Sequence, residues 1–105
     1  MSLDISTKTK PTIKPISISF NTLNLNEVDS IALLESQSSE HPWSKNQLSD
    51  SIKNQNNVAY SLSIDGQIIG FVIAMPAVDT ADILNIVINP KYQKKGYGKS
   101  LFVYL

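Results

Sequence analysis

The segment Asn85-Ile86-Val87-Ile88-Asn89-Pro90-Lys91-Tyr92-Gln93-Lys94-Lys95-Gly96-Tyr97-Gly98-Lys99-Ser100 decides the fold of this chain. Its apolar, β-branched start, closed by Pro90, is typical of a strand, and the residues after Gly98 look like the start of a helix. Residues 91–99, which join the two, contain two glycines, four lysines and no acidic residue. A strand, a glycine-containing loop and a helix in this order predict an anion site, because loop and first-turn N–H groups point at the same place.

The loop is expected to hold phosphate or pyrophosphate through its backbone. Gly96 and Gly98 allow φ above zero and let the chain come close to a ligand. Lys91, Lys94, Lys95 and Lys99 raise the local positive potential. In the alternative interpretation Gly96 only ends a turn and the lysines keep a surface loop soluble.

Two other motifs match part of the loop. The phosphate-binding pattern G-x-x-x-x-G-K-[ST] ends in the same way as Gly98-Lys99-Ser100, but Gln93 occupies the place of its first glycine. The first four positions of an RNA-recognition signature match residues 95–98, whereas Lys99 and Ser100 replace the aromatic residue and valine that follow in it. Both matches are therefore incomplete.

The composition is that of a globular chain without a bulk electrostatic preference. The 105 residues are 42% hydrophobic and 17% charged, and nine lysines balance nine acidic residues, so neither a nucleic acid nor a membrane is expected as a partner. The chain has no arginine for bidentate anion binding and no cysteine for disulfides or thiol catalysis. No apolar run reaches the roughly 18 residues of a membrane span, and a cytoplasmic location is expected.

The N-terminal half predicts a tail, a strand and two helices. Residues 1–15 are expected to be a flexible tail that precedes one domain, residues 16–105. The alternation of Ile16, Ile18 and Phe20 with polar residues predicts a strand with one buried face. A helix is predicted over residues 26–37 with Asn26 as its N-cap. The start of a second helix is marked by the capping box Ser44/Gln47 and by a hydrophobic staple between Trp43 and Leu48.

Three consecutive strands follow in the prediction, over residues 58–64, 67–75 and 81–89, and Asp65-Gly66 is the hairpin turn between the first two. The last helix begins near Gly98, and its apolar face, with Leu101, Phe102 and Leu105, is expected to lack cover. The predicted fold class is α/β of the α+β type, with a mixed sheet and the element order β-α-α-β-β-β-α.

Residues 85–99 resemble the acetyl-CoA signature of the GCN5-related N-acetyltransferase (GNAT) superfamily, whose core is Q/R-x-x-G-x-G/A. Gln93, Gly96 and Gly98 occupy the defined positions of that core. Two further stretches, His41-Pro42-Trp43-Ser44 and Asn85-Ile86-Val87, look most like the ribosomal-protein-alanine N-acetyltransferases within the superfamily. The resemblance covers about residues 16–105 and implies a GNAT fold whose C-terminal third is missing.

The resemblance implies that acetyl-CoA is the cosubstrate. The strand before the loop would pair through its backbone with the pantetheine arm, and the loop and helix N-terminus would hold the pyrophosphate. The cofactor-binding residues implied in this way are Ile86, Val87 and Ile88 on the strand, and Gln93, Lys94, Lys95, Gly96, Tyr97, Gly98 and Lys99 in the signature.

The resemblance also implies a reaction, the acetylation of a protein N-terminal amine, with an alanine of a ribosomal protein as the expected acceptor. In the resembled enzymes the base is a glutamate on the next strand and a later tyrosine protonates the leaving thiolate, and both would lie beyond Leu105. No catalytic residue is therefore assigned, and residues 1–105 alone are expected to be inactive. The open sheet edge is expected to recruit a second copy of the chain. The alternative functions are a noncatalytic CoA-binding fragment and an RNA-binding module.

Three other residues have two interpretations each. His41 is the only histidine and has no second ligand in view, so no metal site is expected. Trp43 is expected in the core, although the resemblance also places its loop beside the acceptor peptide. Asn85 interrupts an apolar strand, either as a ligand contact or as a polar residue on an exposed face.

Overall fold

The computed structural model describes residues 17–104. They form β1 (Ile18–Thr22), α1 (Val28–Ser38), α2 (Lys45–Lys53), β2 (Val58–Ile64), β3 (Gln67–Pro76), β4 (Ala81–Ile88) and α3 (Tyr97–Tyr104). The predicted order β-α-α-β-β-β-α is confirmed. The predicted tail, residues 1–15, lies outside the described residues, as do Ile16 and Leu105.

The four strands form one sheet in the order β1-β2-β3-β4, and each neighbouring pair is antiparallel. The meander of β2, β3 and β4 is therefore confirmed. The sheet was expected to be mixed, but within residues 17–104 it is entirely antiparallel. Asp65 and Gly66 have φ angles of 51° and 84°, which is the two-residue turn that the Asp-Gly pair predicts.

Helices cover both faces of the sheet. On one face, α1 and α2 pack over a cluster that includes Ile31, Leu48 and Phe71, and on the other face α3 packs through Leu101. β3 contributes to both clusters, since Phe71 and Ile73 lie on the first face and Val72 on the second. The sheet is thus the middle layer of the fold, and β3 is buried on both sides.

A β-bulge interrupts the pairing of β3 with β4. Ile73 pairs with Asn85 and Ala74 with Ile83, so Leu84 is an extra residue on β4. The bulge changes which face the side chains reach. Ile83 packs against the α3 cluster, whereas Val87 lies in the α1 cluster on the opposite face.

Two predictions near the N-terminus were wrong in detail. Ile18 is 47% exposed and only Phe20 is partly buried, because β1 is an edge strand and α3 covers it only where Tyr104 stacks on Phe20 at 4.7 Å between ring centroids.

The N-cap of the first helix is not Asn26, as the sequence predicted. A short 3-10 turn comes first, in which the N–H of Asn24 donates to the Glu27 carboxylate at 2.9 Å, and α1 starts only after it.

The capping box of α2 is confirmed. The N–H of Gln47 donates to Ser44 Oγ at 3.1 Å, and the N–H of Ser44 donates to Gln47 Oε1 at 2.8 Å. Trp43 is partly buried against the cluster that contains Leu48, as the hydrophobic staple requires.

The expectation that α3 lacks cover is wrong for Leu101, which is fully buried under the sheet, while Phe102 is 58% exposed. α3 is therefore held to the sheet by the buried side chain of Leu101 and by the contacts of Tyr104 with Phe20 and Tyr60. Within residues 17–104, no helix is long and apolar enough to cross a membrane.

We expect Gly70→Ala to destabilise the fold by about 1 to 3 kcal/mol, the usual cost of overpacking. A Cβ at position 70 would stand 2.8 Å from the Val87 carbonyl oxygen and 2.5 Å from Ile88 Cδ1, so β3 and β4 would have to separate. Denaturant unfolding measures the loss. Gly98→Ala is the matched control, because its Cβ would only touch Ile88, at 3.8 Å. Equal stability of the two variants would contradict this close strand contact.

Candidate functional site: an amide loop beside an open strand edge

The segment after β4 is shaped by its own side chains. Asn89 Oδ1 accepts the N–H of Lys91 at 2.9 Å and starts the 3-10 turn Pro90–Tyr92. Gln93 Nε2 then donates back to the carbonyl of Ile88 at 3.0 Å. The chain is therefore folded back against the end of β4 before it enters the glycine loop.

The loop needs two left-handed residues. Gly96 has φ of 86°, as predicted, and Lys94 has φ of 63°, which the sequence did not indicate for a lysine. Gly98 does not have a positive φ. It lies in the first turn of α3, and the expectation of left-handed geometry there was wrong. A Cβ at Gly98 would meet only Ile88 Cγ1, at 3.8 Å, so neither backbone conformation nor packing within the described residues requires a glycine there.

The loop presents six successive N–H groups without an acceptor among the described residues. The first bond of α3 is donated by Ser100 to the carbonyl of Gly96 at 3.0 Å, and no hydrogen bond within residues 17–104 starts earlier in this stretch. The free donors are the N–H groups of Lys94, Lys95, Gly96, Tyr97, Gly98 and Lys99. Such a row of donors at a helix N-terminus is suited to an oxyanion.

The charge around these amides is positive and unpaired within the described part of the chain. Lys94, Lys95 and Lys99 are exposed, and the ion pair found in residues 17–104 joins Lys45 to Asp29 far from the loop in sequence. Lys91 Nζ lies 5.8 Å from the centre of the Tyr92 ring. The segment thus combines main-chain donors with four exposed lysine side chains.

The strand that leads to the loop has an open edge. β4 is the last strand in the sheet order, and the N–H of Asn89 pairs with Ile69 of β3 on its covered side. Successive residues of a strand turn their polar groups to opposite sides, and the Val87 carbonyl faces Gly70 of β3. Ile86 and Ile88 therefore turn their N–H and C=O groups to the open side.

The structure brings the predicted cofactor residues into one continuous strip, from Ile86 to Lys99, but it divides their roles. Ile86 and Ile88 offer backbone groups at the open edge, although the Ile88 carbonyl already accepts from Gln93. Val87 points its backbone to β3, and its side chain is buried in the α1 cluster. Gln93 contacts the strip through its side chain.

Sequence reasoning missed one polar contact beside this strip. Glu35 on α1 is only 3% exposed, and its Oε1 accepts from Asn85 Nδ2 at 2.5 Å. Asn85 is thus neither on a free face nor aimed at the open edge. Helical spacing could have found Glu35, because it stands one turn after Ile31 on the buried face, where a carboxylate is unexpected.

A wide cleft lies elsewhere. It has a volume of about 770 Å³ and lies between α1 and the β2–β3 turn, where Asn89 is part of the lining but residues 90–100 are not. It contains no lysine, so it does not compete with the loop as a site for an anion.

An open strand edge that runs into a row of free amides suits an extended ligand that pairs with a strand and ends in an oxyanion. The model of the acetyltransferase (GNAT) family matches residues 25–105, and the chain belongs to that family.

Similar proteins agree with this assignment. The chain is 37% identical over 68 residues to the ribosomal protein bS18-alanine N-acetyltransferase of Haemophilus influenzae, an alignment that spans 65% of this chain and 46% of that protein. The crystal structure of the ribosomal-protein-S18-alanine N-acetyltransferase from Escherichia coli superimposes with a TM-score of 0.77 at 22% identity, over 84% of this chain and 56% of that one.

A third similar structure is the PaiA N-acetyltransferase from Thermoplasma acidophilum in complex with coenzyme A. Its TM-score is 0.72 at 21% identity, and the match covers 84% of this chain and 69% of that one. The cosubstrate of the family is acetyl-CoA. The chain spans about half the length of the curated relatives it matches.

We expect Gly98→Val to weaken CoA binding at least about tenfold, or about 1.4 kcal/mol, because its methyl groups would stand among the free amides. Gly98→Ala should keep binding, since the signature admits alanine and the Cβ has room. Lys94→Ala or Lys95→Ala should weaken binding only about two- to threefold and reduce its salt dependence, because exposed charges are screened.

Isothermal titration calorimetry with CoA at two salt concentrations measures these effects. Lys53→Ala, at the end of α2, is the matched control for a lysine away from the loop. If the loop lysines were essential and Gly98→Val bound normally, the main-chain amides would not be the principal contact.

Proposed function

We propose that this chain is the acetyl-CoA-binding part of an N-acetyltransferase that acetylates a protein N-terminal amine, with an alanine of a ribosomal protein as the acceptor. The single observation that supports it most is the row of free amides from Lys94 to Lys99 beside the open edge of β4. The acceptor is suggested by the relatives, which are named for alanine acetylation of ribosomal protein bS18.

The pyrophosphate of CoA would occupy the amide row. Its oxygens accept several hydrogen bonds at once, and the six donors lie in the loop and the first turn of α3, where the helix dipole is positive. Lys94, Lys95 and Lys99 would add long-range attraction without fixed geometry. In this proposal the site residues are Gln93, Lys94, Lys95, Gly96, Tyr97, Gly98 and Lys99.

The pantetheine arm would continue along β4 as an added strand. It contains two amides, and it would pair with the N–H and C=O of Ile86 and with the N–H of Ile88. Val87 supports this edge by packing into the core instead of by pairing. An arm that starts at the loop and follows β4 in this way would place the thioester near the bulge at Leu84.

Acetyl transfer needs a neutral amine, a base that takes its proton and a donor that stabilises the oxyanion. The loop from Asn89 to Ser100 contains no acidic residue. In the proposal the base and the acid come from the part of the family fold that would follow Leu105. Residues 1–105 alone would then bind acetyl-CoA in the cytoplasm without transferring the acetyl group.

We expect CoA to raise the thermal midpoint of unfolding, because a ligand that binds only the folded state stabilises it by mass action. At a hundredfold excess over Kd the gain is about 2.7 kcal/mol, and each kcal/mol shifts the midpoint of a domain this size by about 4 to 8 °C. Differential scanning calorimetry with millimolar CoA measures the shift, and Gly98→Val, which weakens binding at least about tenfold, should reduce it to about half or less.

The same measurement tests the alternatives. A midpoint that rises with single-stranded RNA and not with CoA would replace the proposal with an RNA-binding module. A CoA shift together with acetyl transfer from residues 1–105 to an alanine-ending peptide would keep the cofactor site and overturn the proposed location of the base.

The open edge also bears on self-association. A second copy would pair along β4, where Leu84 and Ile86 are 37% and 40% exposed, and it would occupy the backbone groups assigned to pantetheine. We therefore expect light scattering at high concentration to detect a dimer that CoA converts to monomer. A monomer at every concentration, or a dimer unaffected by CoA, would show that the edge does not pair with a second copy.

A further inference from the structure

The least expected group in the fold is the buried carboxylate of Glu35. It lies on the buried side of α1, one turn after Ile31 and next to Leu34, and both of these residues belong to the cluster that also holds Val87. Among residues 17–104 its hydrogen bond comes from Asn85 alone. A buried carboxylate with a single amide donor is a poor source of stability, because apolar groups of similar size would fill the same space without a desolvation cost.

Asn85 lies next to the bulge, where the register of β4 against β3 changes. It is the first residue after the extra residue Leu84, and it pairs with Ile73. A strand that slips by one residue at a bulge exchanges its two faces and also its two edges. Asn85 and Val87 would then turn their backbone groups to the open side, and Ile86 and Ile88 would turn theirs to β3.

The contacts of β4 with α1 distinguish these registers. Ser38, one turn after Glu35, donates its hydroxyl to the Ile88 carbonyl at 3.4 Å. Together with the bond between Asn85 and Glu35, this bond joins α1 to two points on β4 that are three residues apart. Apolar contacts such as that of Val87 are non-directional and tolerate exchange with another β-branched residue. The bond from Asn85 to Glu35 forms in one register only.

We propose that Glu35 and Asn85 form a positioning pair that fixes the register of β4 after its bulge and so determines that Ile86 and Ile88 face the open edge. The inference rests on the proposed function, because that edge is the one assigned to the pantetheine arm of acetyl-CoA. The pair touches no part of the ligand. It acts by presenting the correct backbone donors and acceptor.

The test replaces the pair by apolar residues, Glu35→Leu with Asn85→Val, which fill the space but form no directed bond. Site-resolved amide hydrogen exchange reads the register without any ligand. In the native chain the N–H groups of Asn85 and Val87 should be protected and those of Ile86 and Ile88 should exchange quickly. The apolar pair should lose or invert this alternation, and its affinity for CoA should fall at least tenfold while its thermal midpoint is maintained.

Two further variants complete the test. Glu35→Gln keeps an acceptor for Asn85 Nδ2 and should preserve both the alternation and CoA binding. Asn85→Thr suits a strand but is too short to reach Glu35, and it should behave as the apolar pair does.

Native alternation in the apolar pair and in Asn85→Thr would overturn the proposal. Failure of both variants to fold would overturn it as well, because the pair would then be a requirement of folding as a whole. If the native chain shows the alternation and does not bind CoA, the proposed function fails and the register assignment stands.

Discussion

The hydrogen bonding of β4 is the constraint on which the rest of the structure depends. One edge of this strand is taken up by β3, so closely that Gly70 has no room for a Cβ against Val87 and Ile88. The other edge is open. The division decides which backbone groups β4 leaves unpaired, since a strand can present only every second residue on each side.

The two layers of helices hold β4 from opposite faces. Val87 enters the cluster under α1 and α2, and Ile88 packs against the cluster that contains Leu101 of α3. α3 has only eight described residues, too few for a stable isolated helix. Because the buried Leu101 fixes this helix to the sheet, its first turn and its free amides stand at the end of the strand edge.

In the proposed site the loop lysines suffice although the chain has no arginine. The fixed, directional contacts there would be main-chain N–H groups, which do not depend on side-chain type. Lys94, Lys95 and Lys99 add charge that is exposed and therefore screened. Lys94 also adopts a left-handed backbone, at φ of 63°, which shows that the loop shape is set by its connections at both ends and not by glycine alone.

The sequence by itself determined the features that depend on neighbours along the chain. The Asp65-Gly66 turn, the Ser44/Gln47 capping box and the strand ends were predictable because each rests on residues at most a few positions apart. The position of the glycine loop between a strand and a helix was equally predictable from the sequence. Burial was predicted less well, because Ile18 alternates correctly and is still exposed at the sheet edge.

Only the tertiary structure decided the contacts between distant segments. The bond from Asn85 to Glu35 joins residues fifty positions apart, and no local pattern marks either as a partner of the other. The bulge at Leu84 is likewise a property of the pairing with β3. The sequence of β4 alone therefore does not determine which of its backbone groups face the open edge. The register depends on the hydrogen bonds and side-chain contacts that β4 forms with β3 and α1.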